Sequence, residues 1–151
     1  MKYRVINEFD HFEFHEVHIS DVEVTDGFFH IVLDDVIILP ENSCNRDIRK
    51  MRANALVLKF DELKGITLVE EGYKTYDANG NFLSQTEDVQ VPKEEYKSVF
   101  DAFCDGYAFS IEKVNDTYTF VVDATNEHTY SLTIEAGGEI AEWDRFLSIE
   151  M

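Results

Sequence analysis

Cysteine is scarce in this chain: its 151 residues hold two, Cys44 and Cys104, with no Cys-x-x-Cys spacing. A zinc ribbon or a redox pair therefore has nothing to build on. Two buried thiols is the simpler reading, and a Cys44–Cys104 disulfide stays open because spatial distance is not legible in a sequence. Positive charge is scarce too. Lys and Arg number 13 against 31 Asp and Glu, a formal net charge of −18, and the sequence pI is near 4.4. A surface of that sign repels phosphate backbones and anionic lipid, so no nucleic acid and no membrane is expected as a partner.

Long apolar runs are missing. The opening Met1-Lys2-Tyr3-Arg4-Val5-Ile6-Asn7-Glu8 turns acidic before a signal-peptide core can form, and no later segment has the length to span a bilayer, so a soluble, cytoplasmic protein is expected. No Pro- or Ser-rich linker divides the chain, no glycine-rich phosphate loop occurs, and no serine stands in a Gly-x-Ser-x-Gly elbow. Cys44 and Cys104 have no neighbouring His in sequence to lower a thiol pKa. No residue is singled out as catalytic, and no cofactor is expected.

What remains is amply apolar. With 44% hydrophobic and 13% aromatic residues, the chain is rich enough to bury one core, and its length suits a single domain over 1–151. Strand periodicity dominates. Val17 to Val24 partly alternates, and Asp26-Gly27 supplies a turn before Phe28-Phe29-His30-Ile31-Val32-Leu33. Val36-Ile37-Ile38-Leu39 reads as a strand covered on both faces and closed by Pro40, with Asp34-Asp35 a bulge or turn before it. Residues 41–54 read as a polar loop. Leu56, Leu58 and Phe60 share a face, and Ile66 to Glu70 reads as the next strand. Tyr73 to Tyr76 and Phe82 to Gln85 flank an Asn79-Gly80 hairpin turn.

One helix is predicted near residues 92–105, with Pro92 at its first position, a stripe of Tyr96, Val99, Phe100 and Phe103, and Gly106 as its left-handed stop. Three alternating runs follow, placing Tyr107, Phe109 and Ile111, then Tyr118, Phe120 and Val122, then Tyr130, Leu132 and Ile134 each on one side. After Gly137-Gly138, residues 140–149 fit helix or strand and lean to strand. The fold class is α+β, mostly β: a curled antiparallel sheet, sandwich or partial barrel, with the helix over one opening or face.

The residues with chemistry fall into three groups. His11, Glu13, His15 and His18 form the densest histidine cluster, and on a strand His11, Glu13 and His15 share one face, as a metal site would need. The spacing lacks the His-Glu-x-x-His of a helical zinc site, and a half-exposed strand with Phe12 and Phe14 inward and His11, Glu13 and His15 in water is the simpler reading. Acidic residues recur at Asp21, Glu23 and Asp26, at Asp34 and Asp35, and at Glu70 and Glu71. Two of them brought together could form a hydrolytic carboxylate pair, but with 31 acids a solvated surface, or an interface for a basic protein, is the stronger reading. The reverse case is the island of Arg46, Arg49, Lys50 and Arg52: an anion site, a contact for a second copy, or a solvated loop.

Phe12-Glu13-Phe14-His15-Glu16-Val17-His18-Ile19, followed by the Asp26-Gly27 hairpin, resembles the start of small β-rich bacterial domains, some of them immunity proteins of polymorphic toxin systems. The resemblance implies an acidic protein that covers the basic active site of a nuclease or other toxin. Tyr76-Asp77-Ala78-Asn79-Gly80-Asn81-Phe82-Leu83 is similar to one unit of the tyrosine-aspartate repeats of toxin shells, although one copy makes no repeat. Three functions compete: an interaction module using an acidic face with exposed aromatics, a metal protein centred on the histidines, and a barrel holding an apolar ligand against Phe109, Phe120 and Tyr130. Oligomeric state is not legible.

Overall fold

A computed structural model describes residues 2–25 and 27–149. The strands are β1 (Tyr3–Ile6), β2 (Phe12–Glu13), β3 (His15–Thr25), β4 (Phe28–Asp34), β5 (Val36–Ile38), β6 (Met51–Ala53), β7 (Leu56–Glu70), β8 (Lys74–Tyr76), β9 (Phe82–Gln85), β10 (Val89–Gln90), β11 (Tyr107–Val114), β12 (Thr117–Asp123) and β13 (Thr129–Trp143). One α-helix, α1 (Tyr96–Phe103), follows a 3-10 turn at Lys93–Glu95. The antiparallel order β13-β12-β11-β3-β4-β7 returns to β13 through a β7–β13 pairing, which closes a six-stranded barrel. β1 and β10 extend the sheet beside it, β2-β5-β6 form a small second sheet, and β8–β9 pair only with each other.

Closure rests on two strands that run longer than the sequence pattern suggests. Residues 56–60 and 66–70 are one strand, continuous through the charged Asp61-Glu62, where Glu62 takes φ +51° and bends the chain. β13 likewise runs straight through Gly137-Gly138, shifting register between Glu135 and Ala136 as it follows β7. A Cβ on Gly137 would lie 2.9 Å from the Cβ of Glu62, so only glycine lets the two bends meet. Residues 140–143 are thus strand, and Arg145 and Ile149 lie beyond it. A closed barrel leaves no free edge along its wall.

Inward positions alternate as strand geometry requires, and they fill the interior. Ile19, Phe29, Ile31, Leu33, Leu58 and Phe120 are all essentially inaccessible. The helix stops one end: the Phe100 ring stands 5.5 Å from Phe29 and the Phe103 ring 5.7 Å from Tyr130. Its apolar stripe is the one expected, with Val99, Phe100 and Phe103 buried. Pro92, however, precedes the 3-10 turn in extended geometry, and the left-handed residue after the helix is Asp105 at φ +68°. Gly106 serves closeness instead, since a Cβ there would sit 2.5 Å from the Asp123 carbonyl oxygen. At the other end Phe9, in a 3-10 turn at Phe9–His11, packs 5.6 Å from Tyr118 and 5.0 Å from Phe14.

The 41–54 segment is a loop up to β6, held by buried Asn45, whose side-chain amide donates to the carbonyls of Ile38, Leu39 and Arg49. Cys44 and Cys104 are both free. Among the described residues no helix is long and apolar enough to cross a membrane.

Candidate functional site: an aromatic pair in an acidic face

The site grows out of a register shift. Along the β11–β12 ladder Ala108 pairs with Val122 and Ser110 with Val121, so Phe109 is an extra residue with no partner on β12. A bulge of this kind reverses which side later residues face. Ala108 and Ile111 point into the core, while Tyr107 and Phe109 are 51% and 46% exposed. The expectation that Tyr107, Phe109 and Ile111 share one side is therefore corrected, and Phe109 lines no barrel interior. Strand β3 accommodates the bulge opposite, where Glu16 takes φ +51° between the pairs Val17–Ala108 and His15–Ser110.

Polar groups gather around the two rings. The His15 ring meets Phe109 edge-on at 5.3 Å, and His18 meets Tyr107 at 5.4 Å. Glu16 and Asp123 flank the same two aromatics in a shallow depression of about 300 Å³. His18 stands between two carboxylates, with Nδ1 2.8 Å from Asp34 and Nε2 3.4 Å from Asp105. The other oxygen of Asp34 accepts the Ala55 amide, which fixes its orientation. Asp105 sits at the end of α1 and is tied through its backbone N–H to the Ile19 carbonyl on β3. Cys104 adjoins it, with Sγ 3.9 Å from the Asp21 carboxylate. Burial pushes the Cys104 thiol up, the Val22 backbone opposes this, and Asp21, Asp101 and Asp105 push it up further. These groups favour its protonated thiol over the thiolate.

Several carboxylates of the chain meet cations: Glu13 with Lys50, Asp35 with Arg52, Glu142 with Lys59 and Arg4, Asp116 with Lys64, and Glu139 with Lys113. Among the described residues, Glu16, Asp21, Asp105 and Asp123 have no Lys or Arg partner. Three of the four cations of the basic island are engaged in such pairs, Arg49 with Asp47, Lys50 with Glu13 and Arg52 with Asp35, and Arg46 is exposed.

The acids selected from sequence divide by location. Asp21 and Asp34 belong to this face, and Glu23 is exposed further along β3, opposite His30 on β4. Asp35 is spent on Arg52. Glu70 and Glu71 lie at the far end of β7, where Glu70 meets Tyr130 and His128. Asp26 lies outside the described residues. The histidine cluster disperses, because the chain leaves strand geometry twice between His11 and His18. His11 ends the 3-10 turn and pairs with Glu8 at 3.0 Å, Glu13 pairs with Lys50 at 2.7 Å, and the left-handed Glu16 turns His15 toward Phe109. Among the described residues no group of three or more His, Cys, Asp or Glu is placed to hold a metal ion. Phe12 and Phe14 are buried, as the half-exposed strand reading requires.

Sequence reasoning missed Tyr107, Phe109, Glu16, Asp105 and Asp123 as a group. The available signal was Ala108, an apolar residue between two aromatics, which permits either alternation. Comparison with known proteins finds no matching family model, and no curated protein or solved structure of significant similarity.

Proposed function

We propose that this protein is a non-enzymatic interaction module whose acidic face binds the basic surface of a partner protein. The observation that carries the reading is the exposed pair Tyr107 and Phe109 among carboxylates that, among the described residues, have no Lys or Arg partner. Exposed aromatics supply contact area and a cation–π surface for Arg or Lys, while unpaired carboxylates steer a basic partner and reject an acidic one. Large aromatics ringed by polar groups are the composition of an interface centre.

The finer proposal is an immunity-type inhibitor acting in the bacterial cytoplasm, covering the basic active site of a toxin. The net charge of −18 and two unpaired thiols, which suit a reducing compartment, support it. Its test is genetic: the adjacent gene encodes a toxin, and co-expression of this chain relieves the toxin's lethality. A Tyr107→Ala/Phe109→Ala variant that folds normally fails to protect. Full protection by that variant contradicts the assigned face.

A further inference from the structure

A second site lies away from the acidic face, where α1, β10 and the β12–β13 turn meet at the mouth of the barrel. A groove of about 430 Å³ opens there, within the size range of small-molecule sites. Its floor is apolar, from Val91, Val99 and Ala102, and its polar groups converge from three elements: Glu70, Glu95 and the trio Asn126, His128 and Tyr130. The polar groups are ordered relative to one another. The Asn126 amide donates to the Tyr130 hydroxyl at 2.9 Å, and that hydroxyl donates to Glu70 Oε1 at 3.4 Å. His128 Nδ1 stands 3.7 Å from the same oxygen. Tyr130 is 2% exposed, so its hydroxyl is a buried polar group aimed at the groove. Burial raises its pKa; Asn126 opposes this and Glu70 adds to it, so it stays a donor.

We propose that this groove binds a small aliphatic ammonium ion, its head on Glu70 and its chain on the valine floor. Three features select that class. Neither Glu70 nor Glu95 has a Lys or Arg partner among the described residues, so the groove carries uncompensated negative charge. Glu70 Oε2 accepts no hydrogen bond from the described residues, while Oε1 is held by Tyr130, so one oxygen is both oriented and free. Val89 is 53% exposed at the rim, an apolar surface that an alkyl chain covers. An ammonium carries three donors and no acceptor, which suits the free Oε2 of Glu70.

The probe is pentylamine, with pentanol as its uncharged counterpart, titrated into the full chain and followed by amide chemical shifts. Pentylamine is expected to shift Val91, Ala102 and His128 saturably, and pentanol to bind at least about tenfold more weakly, the loss of one charge-assisted hydrogen bond. Glu70→Gln is expected to weaken pentylamine by a similar factor, while Tyr107→Ala/Phe109→Ala leaves it unchanged, which separates this site from the acidic face. If Glu70→Gln unfolds, exposed Glu95→Gln takes its place with a smaller expected loss. Shifts spread over all exposed carboxylates, equal binding of pentanol, or no saturable shift in the groove overturns the proposal.

Discussion

Among the described residues Glu139 is the one carboxylate drawn fully into the structure, 2% exposed, and its neighbours show how an acidic chain tolerates this. The Tyr118 hydroxyl donates to it at 2.7 Å and Lys113 Nζ at 3.0 Å, with the ammonium also 5.2 Å over the Tyr118 ring. Burial pushes the Tyr118 hydroxyl far up, and Glu139 adds to the shift, so it remains a donor. Removing one partner of a buried pair strands the other, at about 3 kcal/mol where the lysine keeps some solvent contact. Lys113→Met is expected to lower stability by that amount in urea unfolding, and Glu139→Gln by less, because its amide oxygen still accepts from Tyr118. A Lys113→Met loss under about 0.5 kcal/mol, the scale of an ordinary surface change, contradicts this.

Glu142, Glu8 and His30 contribute to the acid limb of stability. The Lys59 hydrogen bond holds Glu142 below the ordinary carboxylate value of 4.5; burial opposes it, and Lys59 and Arg4 charges add to it. Burial raises Glu8, but hydrogen bonds from Ser43 and His11 outweigh it and leave the carboxyl lowered. Burial and then Lys59 push His30 below its ordinary 6.5, against the pull of Glu23 and Glu142. In each case the unfolded chain binds the proton more readily, so stability is whole above the ordinary value and declines as pH falls through the folded one. The melting temperature is expected to slip below about pH 6.5 through His30 and to fall steeply below about pH 4.5 through the carboxylates. Glu142→Gln flattens the lower limb, as thermal scans across pH will read.

At the scale of elements, the decisive feature is the bulge at Phe109. Strand alternation in a sequence is a parity argument, and one extra residue reverses it without leaving a mark in composition. The α1 stripe and the Asn79-Gly80 hairpin were legible because each is determined within a few residues, as the Asp77 carboxylate accepting the amides of Asn79 and Asn81 shows. The outward turn of Tyr107 and Phe109 was not, since it depends on pairing with strands far away in the chain. The unity of β7 was hidden likewise, because Asp61-Glu62 looks like a turn until β13 lies beside it. Barrel closure followed from the same two long strands. Mutational stability reads the bulge directly. Phe109→Ala is expected to cost under about 1 kcal/mol, as a half-exposed ring should, while Phe120→Ala costs about 3–5 kcal/mol. Comparable losses at the two positions would return Phe109 to the core.

For the whole molecule, composition announced an excess of negative charge but not where it lies. Folding matches some carboxylates to the chain's few cations, and among the described residues Glu16 and Asp123, beside Tyr107 and Phe109, are among those left without a Lys or Arg partner. Repulsion within that surplus is relieved by salt, so the melting temperature is expected to rise as ionic strength approaches about 0.15 M, where the screening length is about 8 Å.

The most direct test of the central claim is titration of the full chain with an arginine-rich peptide at low salt, followed residue by residue through amide chemical shifts. The account predicts perturbations gathered at His15, His18, Asp105, Tyr107, Phe109 and Asp123, weakened by salt and lost in Tyr107→Ala/Phe109→Ala. Perturbations spread evenly over every exposed carboxylate, or unchanged in that variant, contradict it.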